Sequence, residues 1–546
     1  MVRRLFFLLA AMVIIATIIT ACFAPGAWWS LVVTGPLILL GLQNSFQRKH
    51  AILRNFPLLG YGRYCLEAFR PEIQQYFIES NIDPKPIERE MRALVYQRAK
   101  GELETKPFGT ERDVYHIGYE WAAHSAAPRP APKEEPRVLI GGSDCTKRYA
   151  ASHLNISAMS FGSLSSRAIT ALNQGAALGG FAHNTGEGSI SRYHQHEGDL
   201  IWQIGTGYFG CRAKDGGFDV ERYAEQASLE QVKMIELKLS QGAKPGHGGV
   251  LPGIKVTREI AEARGVPIGE TVMSPPAHST FTTPVGLMEF VQTLRERSGG
   301  KPVGIKLCIG RRLDFFAMCK AMIETSIVPD FITIDGGEGG TGAAPLEFTN
   351  SLGMPARDAW IFAHSALLGA GLRGRTRIFA SGKILSGFHM VRALALGADV
   401  CYSARGMMLA LGCIQALRCN SDHCPTGVAT QNPALIAGLD VADKTKRVFR
   451  YHKATIHGCL ELIGAMGLDN ADELRPHHIY RRVDDIRIRN FAEIYDFLEP
   501  GQLLDGSSLP PGLGEEWHAA DAHRWDRRPE PGAHGGKTLR LTKAEA

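Results

Sequence analysis

The chain of 546 residues is long enough for a large core domain with one or two smaller parts, and its 45% hydrophobic and 21% charged residues are typical of a globular protein. The net charge of +6 is small and the basic residues are scattered, which excludes a basic nucleic-acid-binding surface. Apart from one trio, the 11 cysteines are widely spread, which indicates reduced thiols with one metal site and excludes a disulfide framework.

The N-terminal residues 1–45 predict a transmembrane hairpin. Residues 5–23 are apolar apart from threonines and long enough to cross a bilayer, and a second apolar run covers 28–42. Basic residues flank the two runs, so the positive-inside rule places the catalytic part in the cytoplasm, at the cell inner membrane. Two alternatives stay open: a cleaved signal with Cys22 at a lipoprotein-like processing site, and a second run that only enters the membrane.

Residues 46–136 predict a polar, mostly helical segment that ends in a Pro/Ala/charge linker. Short apolar strands then alternate with helix-length segments, which predicts a TIM (β/α)₈ barrel at 137–440. A doubly wound sheet would alternate similarly, but no GxGxxG follows the first strand. The eight candidate strands are 156–159, 180–182, 200–204, 234–239, 303–307, 331–334, 378–380 and 399–402. We expect helices at 441–500 to close the barrel and 501–546 to be an extended or disordered tail.

The functional face of such a barrel lies at the C-terminal ends of its strands, and phosphate usually binds after the seventh and eighth. Here those ends read ASGKILSG (380–387) and SARGMM (403–408), and the sixth ends in DGGEGGTGAAP (335–345). Three glycine-bearing ends in succession predict an anion cradle, because glycine lets backbone amides approach a ligand. The oversized segment between the fourth and fifth strands, which includes GAKPGHGGVLPG (242–253) and SPPAHSTF (274–281), predicts a lid or a partner surface.

Three cysteines, Cys413, Cys419 and Cys424, lie within twelve positions and are followed by a proline. A structural zinc site or an ordinary iron–sulfur cluster usually has four protein ligands. Zinc with His423 as the fourth ligand is therefore one open interpretation of the trio.

Five segments, in order, carry a resemblance to a known family: SAMSFGSLS, NTGEG, GAKPGHGGVLPG, DGGEGGTGAAP and LGCIQALRCNSDHCPTGVATQNP. They resemble the FMN-binding synthase domain of glutamate synthase, and the whole chain is similar to the membrane-anchored, stand-alone proteins of that family. The resemblance implies a TIM barrel that holds FMN and a [3Fe–4S] cluster. The family's cluster motif is met by Cys413, Cys419 and Cys424, and three irons need one thiolate each.

By the same resemblance, the candidate FMN-binding residues are Ser160, Gln203, Lys306, Gly336, Gly337, Gly339, Gly340, Ser381, Gly382, Arg405 and Gly406. Lys306 lies on the apolar strand VGIKLC, where burial is costly unless an anion or a flavin compensates the charge. A cation beside the flavin would stabilise its reduced, anionic ring. Alternatively, Lys306 is a barrel-end residue that reaches solvent.

Lys306, His247 and Glu187 are the candidate catalytic residues. His247 replaces the glutamate of the family's KPGEGG loop, and histidine is suited to proton transfer near neutrality. The alternative is a turn histidine that points to solvent, which would leave proton donation to Glu187 or a water. Arg311 and Arg312 are candidates for binding a substrate carboxylate.

The leading functional hypothesis is a flavin/iron–sulfur oxidoreductase that reductively aminates a 2-oxo acid, with ammonia from solution or from a partner. The sequence contains no N-terminal nucleophilic cysteine and no amidotransferase domain. No dinucleotide-binding motif is evident either, so we expect a ferredoxin-like or membrane electron partner. The alternatives are an FMN-dependent hydroxy- or amino-acid dehydrogenase that reduces a quinone or a ferredoxin, and a non-catalytic membrane redox relay. Homo-oligomerisation is left open.

Overall fold

The structure is a computed structural model that describes residues 2–83, 85–506 and 509–526. The chain divides into two compact units, Met1–Arg89 and Glu90–Ala546. The helices of the first unit are Val2–Phe23, Ser30–Phe46, Ala51–Asn55 and Gly60–Ile73, with a 3₁₀ turn at Pro25–Trp29 and a π turn at Gln74–Ile78.

The first two helices of this unit form the predicted apolar pair. Val2–Phe23 and the stretch Pro25–Phe46 are each 22 residues long, with mean hydropathies of 2.7 and 1.4, which is long and apolar enough to cross a membrane. The two helices pack closely where Gly41 faces the ring of Phe6. A Cβ atom added at Gly41 would lie only 2.2 Å from that ring, so only glycine fits there. Attachment to a membrane stays a prediction.

Eight parallel strands form a closed barrel in the second unit, which confirms the predicted TIM fold. They are β1 Leu154–Ile156, β2 His183–Asn184, β3 Leu200–Ile204, β4 Val232–Lys238, β5 Val303–Leu307, β6 Phe331–Asp335, β7 Arg377–Ser381 and β8 Val400–Ser403. The barrel closes where β8 pairs with β1, with Cys401 opposite Leu154 and Ser403 opposite Ile156.

Two of the predicted strands lie elsewhere. The second is predicted at 180–182 but begins at His183, because Gly180 adopts a left-handed φ of 61° and caps the preceding helix Ser166–Gly179. The first is predicted at 156–159 but ends at Ile156. Residues 157–159 therefore belong to the loop at the C-terminal end of the barrel.

The helices of the second unit are Arg89–Lys100, Ser166–Gly179, Val220–Ser228, Arg258–Arg264, Pro284–Arg297, Arg312–Thr325, Leu346–Ser351, Ala356–Gly369, Gly387–Ala395, Arg405–Ala410, Pro433–Ile436, Val441–Ala465, Phe491–Ile494 and Leu513–Ala519. Side chains such as Ser165, Asp219 and Ser386 accept backbone N–H bonds at the starts of helices between strands. The longest helix, Val441–Ala465, packs on Ser166–Gly179.

Short strands also lie outside the barrel. Glu120–Ala122, from the predicted helical segment, pairs with Ile479–Arg482, which pairs with Ile488–Asn490. Two further hairpins pair Val138–Ile140 with Tyr149–Ala151, and Val250–Leu251 with Val272–Met273. The segments 46–136 and 441–500 are therefore not helical throughout.

The predicted tail is folded in its described part. The helix Leu513–Ala519 places the buried Trp517 edge-on to Phe316, with ring centroids 5.5 Å apart. An apolar side chain buried in this way stabilises the segment by roughly 1.5–3 kcal/mol. Residues 527–546 of the predicted tail lie outside the described part of the chain.

The barrel interior changes from apolar to polar along the strands. An apolar cluster that includes Met234, Phe331 and Phe379 packs with residues of the Val138–Ala151 hairpin. Farther along β4, the wholly buried carboxylate of Glu236 accepts hydrogen bonds from Gln203 at 2.6 Å, Asn184 at 2.8 Å and Thr333 at 2.6 Å. This polar layer lies beneath the C-terminal ends of the strands, where barrel enzymes carry their sites.

Candidate active site

A pocket of roughly 290 Å³ lies at the C-terminal ends of β2, β3 and β4. Its walls come from residues that follow these strands, from the KPGHGG loop and from Pro275 and Pro276 of the oversized insertion. Glu187 and His247, two of the predicted catalytic residues, both line it. The fold therefore brings together side chains that lie sixty positions apart in the sequence.

Glu187 is held by a cation at the end of β4. Lys238 Nζ lies 3.1 Å from Glu187 Oε2 and also donates a hydrogen bond to Gln241. Burial alone would raise the pKa of Glu187, but the charges of Lys238, Lys244 and Arg264 outweigh it and hold that pKa below its usual value. Glu187 is therefore an ionised acceptor at neutral pH.

His247 is half-buried in the pocket wall. Its Nδ1 lies 3.0 Å from the carbonyl oxygen of Gly248, and its ring meets Phe348 edge-to-face at 5.3 Å. The other ring nitrogen, Nε2, is the one left for a pocket ligand or water, since no hydrogen bond engages it in the described part of the chain. The catalytic role of His247 stays a prediction.

Lys306 is buried near the end of β5 and faces an acidic residue that sequence reasoning did not identify. Its Nζ lies 3.8 Å from Asp335 Oδ2, at the end of β6. Asp335 also accepts hydrogen bonds from Ser381 Oγ at 2.8 Å and from the backbone N–H of Gly242 at 2.9 Å. One carboxylate therefore links three strand ends to the KPGHGG loop.

The glycines predicted at the ends of β6, β7 and β8 pack too tightly for any side chain. An added Cβ would lie 2.4 Å from Ala356 at Gly336, 2.6 Å from Ala356 at Gly382, and 2.4 Å from the Tyr451 hydroxyl at Gly406. Gly406 lies in the first turn of Arg405–Ala410, where helical N–H groups have no partner within the helix. The N–H groups of Gly336, Gly337 and Gly339, by contrast, donate to the carbonyl oxygens of Ser381, Met354 and Gly336.

The remaining glycines of this group and Arg405 complete the same wall. A Cβ at Gly337 would lie 2.7 Å from the carbonyl oxygen of Gly353, and those at Gly339 and Gly340 would lie 3.0 and 3.1 Å from their nearest neighbours. Arg405 donates to the carbonyl oxygen of Glu338 at 2.9 Å, and burial lowers its pKa. A half-buried guanidinium beside close-packed glycines is suited to a phosphate.

Two other predicted cofactor residues have partners within the protein. Ser160 Oγ lies 3.0 Å from Ser163 Oγ and accepts a bond from Arg264 at 3.3 Å. Gln203 donates to Glu236, which places its amide nitrogen in the polar layer. Ser160 and Gln203 thus flank the barrel mouth with their polar groups already engaged.

The two arginines predicted to bind a substrate carboxylate do not line the pocket. Arg311 pairs with Asp314 at 2.6 Å and Arg312 pairs with Glu516 at 2.7 Å. Each arginine is therefore already paired with a carboxylate of the protein.

The three cysteines lie on a tightly wound loop. Non-glycine residues Gln415, Leu417 and Asp422 adopt left-handed φ values of 57°, 54° and 63°, which is a costly conformation that clusters at functional sites. The backbone N–H of Gln415 donates to Cys413 Sγ at 3.4 Å. Burial raises the pKa of Cys413 to about 11, and the charges of the other two thiols add to the shift.

A buried lysine fastens this loop to the oversized insertion. Lys255 Nζ donates to the carbonyl oxygens of Cys419 at 2.8 Å and Ala429 at 2.7 Å. Within the described residues, no three His, Cys, Asp or Glu side chains form a group that could hold a single metal ion, and His423 is exposed. The zinc and the [3Fe–4S] interpretations of the trio both stay predictions.

Sequence reasoning missed Lys238, Lys244 and Asp335. Lys238 lies near the end of an apolar strand, MIELKL, as Lys306 does in VGIKLC. A lysine in an apolar strand was therefore the sequence pattern that could have identified Lys238. Asp335 immediately precedes the glycine run 336–340, whose glycines were predicted to bind the cofactor. The partnerships among these residues depend on barrel closure and have no signature in sequence spacing.

Comparisons with known proteins agree with this picture. The family described as "Conserved region in glutamate synthase" matches residues 125–469, which include all eight barrel strands and the cysteine trio. The glutamate synthase large subunit-like protein YerD of Bacillus subtilis (strain 168) is 36% identical over 504 residues, covering 84% of this chain and 95% of the relative.

An archaeal NADPH glutamate synthase of Methanocaldococcus jannaschii is 35% identical over 322 residues, covering 59% of this chain, and this chain spans 60% of that protein. A solved structure of a mutant flavocytochrome b2 with pyruvate bound aligns with a TM-score of 0.42 and 11% identity, covering 82% of this chain and 92% of that one. The family match and the long alignment with YerD place this chain in the glutamate synthase family.

Proposed function

We propose that the chain is a glutamate synthase-type oxidoreductase that forms an amino acid from a 2-oxo acid and ammonia. The single observation that carries the proposal is the pocket, in which the ionised Glu187 and the half-buried His247 lie at the barrel mouth. The buried Lys306 and the close-packed glycine ends belong to the same end of the barrel. Acid–base groups beside an anion cradle are suited to flavin-dependent C–N chemistry.

The residues at the barrel mouth fit FMN. The glycine ends of β6, β7 and β8 leave no room for side chains, and Arg405 adds a half-buried cation, so Gly382, Gly406 and Arg405 would hold the phosphate. Lys306, Ser160 and Gln203 would contact the flavin ring. When bound, FMN supplies hydride transfer and exchanges single electrons with a redox partner.

The protein's own groups then have distinct tasks. Glu187 stays ionised and accepts hydrogen bonds from the N–H groups of ammonia or of the 2-imino acid, which orients the nitrogen. His247 exchanges the proton that C–N bond formation and reduction require. Lys306 stabilises negative charge at the flavin side of the pocket, and Asp335 fixes its position.

Cys413, Cys419 and Cys424 fit a [3Fe–4S] cluster, because backbone N–H groups already hydrogen-bond to thiol sulfurs in this loop and the strained backbone fixes its shape. Such a cluster supplies single-electron transfer. Electrons would come from a ferredoxin-like protein or a membrane carrier. The two apolar N-terminal helices would anchor the protein at the cell inner membrane with the barrel in the cytoplasm.

The decisive experiment uses the full chain in detergent, loaded with FMN and photoreduced without oxygen. Adding a 2-oxo acid with ammonium should reoxidise the flavin and yield the amino acid in equal amount, whereas the 2-oxo acid alone should not. Reduction of oxidised flavin by a hydroxy or amino acid, without ammonium-dependent reoxidation, would favour the dehydrogenase alternative. No response to any small molecule would favour the redox relay.

A further inference from the structure

Lys255 is a charged side chain that lies deep inside the protein and does not line the pocket. It belongs to the 3₁₀ turn Gly253–Lys255 of the oversized insertion between β4 and β5, and only 1% of its surface is exposed. Burial removes the water that would otherwise solvate its ammonium group, so the protein has to supply the compensating groups.

The ammonium group of Lys255 has an acceptor for each of its donors. Its Nζ donates to the carbonyl oxygens of Ala429 at 2.7 Å, Cys419 at 2.8 Å and Ser163 at 3.4 Å. An ammonium group has three N–H donors, whereas a neutral amine has two and would leave one of these carbonyl oxygens without its partner. The three acceptors therefore favour the charged form of Lys255.

These acceptors belong to two separate loops. Cys419 and Ala429 both lie on the cysteine loop, one on each side of Cys424, and Ser163 lies on the loop that follows β1. The ammonium group thus contacts the cysteine loop at two points and the neighbouring loop at a third. One side chain of the insertion therefore fixes the shape of the cysteine loop and its position against the barrel.

A second set of contacts joins the same two loops. The side-chain nitrogen of Gln431 donates to the carbonyl oxygens of Gly162 at 3.1 Å and Leu164 at 2.9 Å. The loop after β1 also carries Ser160, a predicted flavin contact, whose Oγ accepts a bond from Arg264 of the insertion at 3.3 Å. The insertion thus places one buried cation against each of two segments that are predicted to hold a cofactor.

The charge of Lys255 also acts on the thiols themselves. Burial lowers the pKa of Lys255, and the negative charges of Asp422, Cys419 and Cys424 oppose that shift. A cation close to ligand sulfurs, in surroundings that exclude water, stabilises additional negative charge on the group that these sulfurs hold. Protein charges of this kind are among the factors that set the reduction potential of an iron–sulfur cluster.

We propose that Lys255 is a positioning residue for the iron–sulfur cluster, which holds the cysteine loop in its binding shape and raises the reduction potential of the cluster. The inference rests on the proposed function, because it presumes a [3Fe–4S] cluster on the three cysteines. It also gives the oversized insertion a role inside the protein, beside the lid or partner surface that its length predicts.

The test is a redox titration of the full chain in detergent, without oxygen, in which the cluster is followed by its paramagnetic resonance signal. Lys255→Met and Lys255→Gln remove the charge. Each should lower the equilibrium constant for reduction of the cluster about tenfold, which is about 59 mV for one electron. Lys255→Arg keeps the charge and should titrate near the wild-type potential.

The matched control is Lys301→Met. Lys301 is also a buried lysine whose Nζ donates to backbone carbonyl oxygens, but its acceptors, Ala227 and Leu229, precede β4, at the opposite end of the barrel from the cysteine loop. Its loss should lower the melting temperature and leave the potential of the cluster unchanged. The comparison separates the charge of Lys255 from the general cost of removing a buried lysine.

The outcomes separate this assignment from the proposed function. A wild-type protein that contains neither iron nor sulfide would contradict the proposed cluster itself. If the wild type contains the cluster and both neutral variants titrate at its potential, the Lys255 assignment alone is overturned. Loss of the cluster from the two neutral variants, with Lys255→Arg at the wild-type potential, would support the assignment. Equal loss from all three variants would overturn it, because the charge would then not be what matters.

Discussion

Lys306 Nζ and Asp335 Oδ2 lie 3.8 Å apart at the neighbouring ends of β5 and β6, and both side chains are at least nine-tenths buried. Asp335 accepts two further hydrogen bonds, from Ser381 and from the backbone of Gly242. The carboxylate thus compensates the buried lysine and also aligns β7 and the KPGHGG loop.

We expect Asp335→Asn to destabilise the cofactor-free protein, because the change leaves the buried charge of Lys306 without compensation. Breaking a buried pair in this way costs as much as about 3–5 kcal/mol. Calorimetry should show a lower melting temperature than that of the wild type, and excess FMN should raise it part of the way back. Asp314→Asn is the control, since Asp314 pairs with the exposed Arg311, and it should change little.

Replacing His247 tests its role in proton transfer. His247→Asn should slow substrate-linked flavin reoxidation by about 10²-fold or more, because a positioned acid or base contributes that much, while FMN content stays the same. His247→Glu restores the residue of the resembled synthases and should retain activity. His457→Asn, at an exposed helical position, serves as control. Equal rates for the wild type and His247→Asn would leave His247 a structural residue.

The cysteine trio is tested by Cys419→Ser. The wild-type protein should contain iron and sulfide in a ratio of about 3:4. The substitution should abolish the cluster's paramagnetic resonance signal and most of the iron, with flavin largely retained. Cys65→Ser, at an exposed cysteine in the first unit, should change neither. Stoichiometric zinc in place of iron would contradict the assignment.

Membrane attachment should depend on the two apolar helices. A chain that lacks residues 2–46 should move from the membrane to the soluble fraction and still carry FMN, because the barrel has its own core. Fractionation and flavin absorbance measure both properties. A mature chain that begins at a lipid-modified Cys22 would show instead that the first helix is a cleaved signal.

Burial lowers the pKa of Lys244, and this shift predicts a pH-dependent stability difference. The groups whose charges act on it are Glu187 and Lys238, and the folded-state pKa of about 8 lies below the ordinary lysine value of 10.5. The cost of its buried charge is therefore fully present below pH 8 and disappears as the pH rises to about 10.5. Lys244→Met removes this cost, so we expect it to be more stable than the wild type in urea unfolding without anions, by a margin that shrinks across that window.

Much of the fold was predictable because strand–helix alternation and glycine-bearing strand ends are local patterns. The second strand was misplaced because glycine can end a helix or begin a turn, and only the structure shows Gly180 capping the helix. Lys306, His247 and Glu187 were identified from resemblance and residue type. Asp335 and Lys244 were not, because their importance depends on which groups face them across the closed barrel.

The hydroxyl of Tyr96 donates a 2.7 Å hydrogen bond to the carbonyl oxygen of Cys413, and Arg98 reaches Thr455 on the long helix Val441–Ala465. Both residues lie on Arg89–Lys100, some forty positions ahead of the barrel limit at 137 that the linker suggests. A shortened gene that starts at that linker would therefore encode a barrel whose cysteine loop lacks one of its supports. Expression clones should therefore start no later than residue 90, so that the hydrogen bond from Tyr96 to the cysteine loop is kept.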